Sequence, residues 1–184
     1  MKFNFFLLLI ACTVIKVSAE TNQYKKIQWV ELMPQEDMNA LYNPPEELFN
    51  IPEGGANDNI SSQVMNTLLQ ASDDDYQRAL TSTKVMESFN NKKIKIPGFV
   101  VPVTIEGDKT TEFFIVPYFG ACIHYPPPPP NQTIFAKYKA GFNLEDIEEP
   151  FEFSGLMTTL INENELAKAA YYLEIETADL YTDY

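Results

Sequence analysis

Basic residues and soft metal ligands are scarce in this chain of 184 residues. It has a single histidine, His124, a single arginine, Arg78, and two cysteines, Cys12 and Cys122, against an acidic excess that leaves a formal charge of −13. Binding to nucleic acid is excluded by that balance, because a phosphate backbone is held by clustered Lys and Arg and no basic run here is longer than Lys92-Lys93. An anionic membrane surface is disfavoured on the same ground. No stretch beyond the amino terminus approaches the roughly 20 apolar residues of a membrane span, so no transmembrane segment is expected after it. There are no internal repeats, and the one low-complexity run is Pro126 to Pro130.

The amino terminus itself reads as an export signal over residues 1–19, with Lys2 as its basic start, an apolar run from Phe3 to Ile15 and Val17-Ser18-Ala19 as a small-residue cleavage site. A periplasmic or secreted protein follows. Leu9-Ile10-Ala11-Cys12 also fits the pattern before a lipid-modified cysteine, so a membrane-anchored lipoprotein tethered at Cys12 stays open as the alternative. With the signal removed, Cys122 stands alone and cannot form a disulfide within the chain.

Residues 20–82 are read as an amino-terminal arm with short helices. Trp29, Leu32, Met33, Leu41 and Leu48 are scattered without a period of 2 or 3.6, which predicts an extended arm laying a few side chains on the domain. Ser61 to Gln70 places Val64, Met65, Leu68 and Leu69 on one helical face, and Ser72-Asp73-Asp74-Asp75 reads as the start of a second helix. Residues 83–184 turn to strands. The spacing predicts strands over Val85 to Phe89 and Lys93 to Val103, joined by Asn90-Asn91, then Thr111 to Tyr118, Thr133 to Tyr138, Phe151 to Thr158 and Tyr171 to Ile175, with a helical connection over Ile161 to Ala170. Ile94 and Ile96 alternate with Lys93 and Lys95, so that strand has a buried and a wet face. Pro97-Gly98 and Pro102 predict a bend or bulge within it. The expected fold is mainly β with short helices: a small, partly open antiparallel β-barrel of the OB type. With 45% hydrophobic and 13% aromatic residues the chain can bury a core.

The residues that could carry chemistry gather in "YFGACIHYPPPPPNQT". In an extended chain Cys122 and His124 leave the same face about 6.6 Å apart at Cα, so a thiolate and an imidazole can converge on one transition-metal ion, with zinc, copper and iron all accepting the pair. A packed cysteine beside a hydrogen-bonded histidine is the alternative. The proline run Pro126, Pro127, Pro128, Pro129 and Pro130 should adopt polyproline II. It is either a rigid bracket or, with Asn131 and Gln132, an interaction loop for a partner in an envelope or transport complex, and the two amides could satisfy carbonyls the prolines leave unpaired. No complete catalytic constellation is visible, so no enzyme is expected.

The string Ile96-Pro97-Gly98-Phe99-Val100-Val101-Pro102, continued by Val116-Pro117-Tyr118-Phe119-Gly120-Ala121-Cys122-Ile123-His124 and closed by the prolines and Asn131-Gln132, resembles a bacterial exported family known as domain of unknown function 3299. "IQWVELMP", "FEFSGLM" and "AAYYLEI" extend the resemblance to the arm and the last two strands. It implies an exported envelope protein of unassigned reaction and leans the choice of metal toward zinc. Asn90-Asn91 and Ser154-Gly155 depart from that family's usual Asn-Gly and Thr-Gly.

Overall fold

The alternation of Ile94, Ile96, Gly98 and Val100 with half-exposed neighbours builds the longest strand, because one face of it must enter a core while the other stays in water. A computed structural model describes residues 23–44, 74–120 and 128–182. In chain order these hold β1 (Lys25–Lys26), a 3₁₀ turn (Trp29–Leu32), α1 (Gln35–Tyr42), α2 (Asp74–Leu80), a second 3₁₀ turn (Glu87–Phe89), β2 (Lys92–Glu106), β3 (Lys109–Val116), a third 3₁₀ turn (Pro130–Gln132), β4 (Ile134–Asn143), a fourth (Leu144–Asp146), β5 (Phe151–Thr158), β6 (Asn162–Glu163), β7 (Lys168–Ala169) and β8 (Tyr171–Leu180).

Five of these strands close into a ring in the order β2, β3, β4, β8, β5 and back to β2, with β4 and β8 parallel and the other pairs antiparallel. This is the OB-type barrel expected, and its ring is complete. Closure depends on β2 serving two partners. Residues Lys92 to Gly98 pair with β5, Phe99 to Glu106 pair with β3, and the change of partner falls at Gly98/Phe99. Gly98 is required there: a Cβ would lie 2.5 Å from Ile115 Cγ2 and 3.1 Å from Trp29 Cζ2. The predicted irregularity at Pro102 is a register shift between Pro102 and Thr104.

The arm completes the barrel. β1 pairs in parallel with the first half of β2, on the edge that β3 does not reach, and Trp29 Nε1 donates to the Pro97 carbonyl at 2.7 Å. Ile27 and Leu32 are 1% and 0% exposed and belong to the same core as Ile94, Ile96, Phe113, Phe153 and Leu173. Tyr171 joins the two parts, since its buried hydroxyl donates to the Leu32 carbonyl at 2.8 Å and accepts from the Met86 amide at 2.6 Å.

Three expectations need correction. Val85 to Phe89 is coil and a 3₁₀ turn, because both flanks of the first half of β2 are already taken by β1 and β5; Asn91 (φ 56°) makes the tight turn into β2. Ile161 to Ala170 is the β6–β7 hairpin. Asn164 Oδ1 accepts from the amides of Leu166 and Ala167, giving the backbone an alternative to helix, and Ala167 and Ala169 pack on an outer cluster of Phe114, Phe135, Tyr172, Val101 and Val103. The arm contains the helix α1, which opens after Pro34 with Glu36 and Asp37 in its first turn, where the helix dipole favours negative charge. The helix expected over Ser61 to Gln70 lies outside the described residues.

Candidate functional site

The connection from β3 to β4 carries the residues singled out in the sequence. Cys122, His124, Pro126 and Pro127 lie outside the described residues, which frame them between Gly120 and Pro128. On the leading side the chain leaves β3 through Pro117 and Tyr118, and Gly120 (φ 76°) adopts a left-handed turn that favours glycine. The Phe119 ring, 61% exposed, meets the Phe99 ring at 5.9 Å.

The trailing side is anchored inward. Pro128 is half-buried and Pro129 to Thr133 are buried, so this part of the run faces the protein rather than solvent. Five of the seven buried polar residues among the described ones, Asp37, Ser82, Asn131, Gln132 and Thr133, meet here. Asn131 is fully buried. Its amide nitrogen Nδ2 donates to Asp37 Oδ2 at 2.9 Å and to the Lys84 carbonyl at 3.2 Å, and its backbone amide donates to the Ser82 carbonyl at 3.2 Å. Gln132 Nε2 donates to the Trp29 carbonyl at 2.8 Å. The two side-chain amides therefore tie the loop to α1, to the segment after α2 and to the arm. The proline carbonyls find other donors: Pro129 accepts from the Gln132 amide at 2.8 Å and Pro130 from the Ala170 amide at 2.8 Å. Asn131 Oδ1 is a buried acceptor without a hydrogen-bond partner. Because Asn131 is 0% exposed, its Asn-x-Thr glycosylation pattern is out of reach in the folded chain.

Two apolar grooves meet at Pro128. One, of about 200 Å³, runs between the arm and the loop and is lined by Met33, Met38, Tyr42, Tyr118, Pro128 and Gln132 among others. The other lies between Leu80, Val116, Pro128, Pro130 and the β6–β7 hairpin with Leu166. Val30, Tyr42, Tyr118 and Leu166 flank them at 43%, 70%, 42% and 64% exposure. The partners on and before α1 were not legible in the sequence: Asp37 and Asn131 are 94 positions apart, and Met33, Met38 and Tyr42 sit in a stretch without readable period. Among the described residues no three His, Cys, Asp or Glu side chains gather where they could hold a metal ion.

Electrostatically the outer face of the barrel is a ladder of paired charges. Glu112 Oε1 meets Lys137 Nζ at 2.6 Å and Glu112 Oε2 accepts from Thr104 Oγ1 at 3.0 Å; these contacts, the lysine first, hold the Glu112 carboxyl below its usual range.

Fold and site together define a closed OB-type barrel completed by its own amino-terminal arm, with a long β3–β4 loop clamped against that arm. The chain belongs to the protein family of unknown function DUF3299, whose model matches residues 29–180. It is similar to a DUF3299 family protein from Pseudomonas aeruginosa PAO1 known from a crystal structure at 2.45 Å resolution, with 28% sequence identity and a TM-score of 0.63, over 88% of this chain and 99% of that one. No curated protein matches the chain. The resemblance read from the loop and strand motifs is thereby established.

Proposed function

We propose that this chain is a non-catalytic docking module of a bacterial envelope complex, receiving a partner protein on the apolar surface around the β3–β4 loop. The observation that carries the reading is the meeting of the two grooves at Pro128, flanked by exposed Val30, Tyr42, Tyr118 and Leu166. Soluble proteins seldom leave a contiguous apolar surface uncovered without a use for it. In this reading Pro128 to Gln132 serve as a bracket, fixing the loop to the arm, and recognition falls to the grooves beside it. Placement in the envelope rests on the export signal over residues 1–19, with tethering at Cys12 as its variant. A photo-crosslinking residue at Tyr42 should give a discrete protein adduct in living cells, and one at exposed Glu145 should not. Adducts at both positions alike, or at neither, would overturn the reading.

A second reading, zinc held by Cys122 and His124, is favoured by one specific observation: the only histidine stands two positions from Cys122, in a loop whose far end is clamped by Asn131 and Gln132. The remaining ligands would come from other residues, water or the partner. Mass spectrometry of zinc-equilibrated protein should show metal in the wild type and loss of it in Cys122→Ser and His124→Ala. Equal, negligible loading in all three removes this reading and leaves docking intact.

A further inference from the structure

Resting on the docking reading, we infer that the groove between α1 and the β3–β4 loop receives an apolar side chain from a partner segment flanked by lysine or arginine. The floor and walls dictate the anchor. Val30, Met33, Met38, Leu41 and the prolines make the lining mainly apolar; its polar side-chain atoms are confined to the Tyr42 and Tyr118 hydroxyls and to Gln132, whose Nε2 is already spent on the Trp29 and Asn131 carbonyls. Methionine thioethers are soft and unbranched, so such a lining accommodates aliphatic and aromatic side chains of differing shape. A volume of about 200 Å³ suits one or two large side chains rather than an extended ligand.

The rim supplies the rest of the argument. The helix α1, which lines one side through Met38, Leu41 and Tyr42, also carries exposed amides, with Gln35 Nε2 donating to Asn39 Oδ1 at 2.8 Å and Asn43 Nδ2 to the Asn39 carbonyl at 2.7 Å, and Tyr42 is 70% exposed. An apolar centre with a polar rim is the anatomy of a peptide contact. Its charges are acidic. Glu31 adjoins Val30, and Glu36 lies between Met33 and Met38 in the chain; Glu31 accepts from the Gln28 backbone amide at 2.9 Å and from the solvent-exposed Lys25 at 3.1 Å, and Glu36 meets the solvent-exposed Lys84 at 2.5 Å. Exposed pairs of this kind contribute little and exchange partners readily, so a basic residue on the partner can take over either carboxylate. The chain as a whole carries −13, which draws in a basic segment and repels an acidic one, an anionic membrane or a nucleic acid.

The test uses the purified full chain and two fluorescent decapeptides with a central Leu-Leu, one flanked by arginines and one by glutamates. The arginine peptide should bind at least about tenfold tighter than the glutamate peptide and weaken as salt is raised. Met38→Asp, which places a charge in the groove, should cost it at least about tenfold. Tyr42→Ala removes a mostly exposed side chain, keeps the fold and should weaken it severalfold; Glu36→Lys should erase much of the preference between the peptides. Equal affinity for the two peptides, no binding of either, or binding indifferent to both Met38→Asp and Tyr42→Ala overturns the inference. If the Tyr42 adduct in cells persists while the arginine peptide fails, the partner's chemistry is wrong and docking stands; loss of both removes the docking reading as well.

Discussion

Tyr171 shows how much one side chain can join. Its ring is wholly inside the barrel, and its hydroxyl satisfies a carbonyl of the arm and an amide of the segment before β2 at once. Tyr171→Phe would leave both backbone groups buried without a partner, a loss of about 2 kcal/mol or more in urea unfolding at neutral pH. The same burial pushes the phenol up to about 12 from its ordinary 10.0. A raised value means that the folded state holds the proton more tightly, so the contribution of Tyr171 to stability is level below about pH 10 and falls as the pH climbs toward 12, where the unfolded chain releases the proton first. The alkaline decline in the phenylalanine variant should be shallower than in wild type; an unchanged decline would mean that other tyrosines govern it.

At the scale of elements, the β6–β7 hairpin matters for what it covers. Val101, Phe114, Phe135 and Tyr172 form a cross-strand row on the outside of the barrel, with Phe114 and Phe135 rings 5.5 Å apart, and Ala167 and Ala169 lie on it. Replacing residues 161–168 with a short glycine-serine linker should uncover the row, lower the melting temperature and raise binding of an apolar dye; dye binding as weak as the wild type's would show that the hairpin is not the cover. This hairpin was also illegible in the sequence. Leu166, Ala167, Ala169 and Ala170 have helix-forming composition, and only the long-range demand of the outer cluster, with the local turn at Asn164, draws this segment into the turn and second strand of a hairpin. The alternation of Ile94 and Ile96 was legible because it is local to one strand and one face. The site was legible only as a string: Asn131 and Gln132 stood out beside the prolines, but their attachment to Asp37, Lys84 and Trp29 is made by the fold.

For the whole molecule, the barrel type and its charge pull in opposite directions. OB-type barrels often bind oligonucleotides with exposed aromatic side chains and a basic groove on the face of their second and third strands. Here the corresponding strands are β3 and β4; their aromatic row is covered and the rest of that face is the ladder of Glu112, Lys137 and Glu174. Fluorescence anisotropy should therefore show no binding of a single-stranded oligonucleotide even at low salt, where attraction to phosphates is strongest. Retention at low salt would mean that a basic surface holds the oligonucleotide after all, with Lys25, Lys26, Lys92, Lys93 and Lys95 as its residues.

The ring has a temporal consequence as well. Lys25 pairs opposite Ile94, Lys92 opposite Met157, and Ile134 opposite Tyr171, so although β2 and β3 form a local hairpin, the β2–β5 and β4–β8 pairings that close the ring, and the β1 pairing that adds the arm, join residues far apart along the chain. Such a topology has high contact order: loop entropy is lost before the rewarding contacts form, and folding is slow. Until Tyr171–Leu180 leaves the ribosome, β4 and β5 lack the neighbour between them, and a growing chain displays apolar strands with open edges. The protein is thus one whose yield should depend on a holding chaperone during synthesis more than its final stability would suggest.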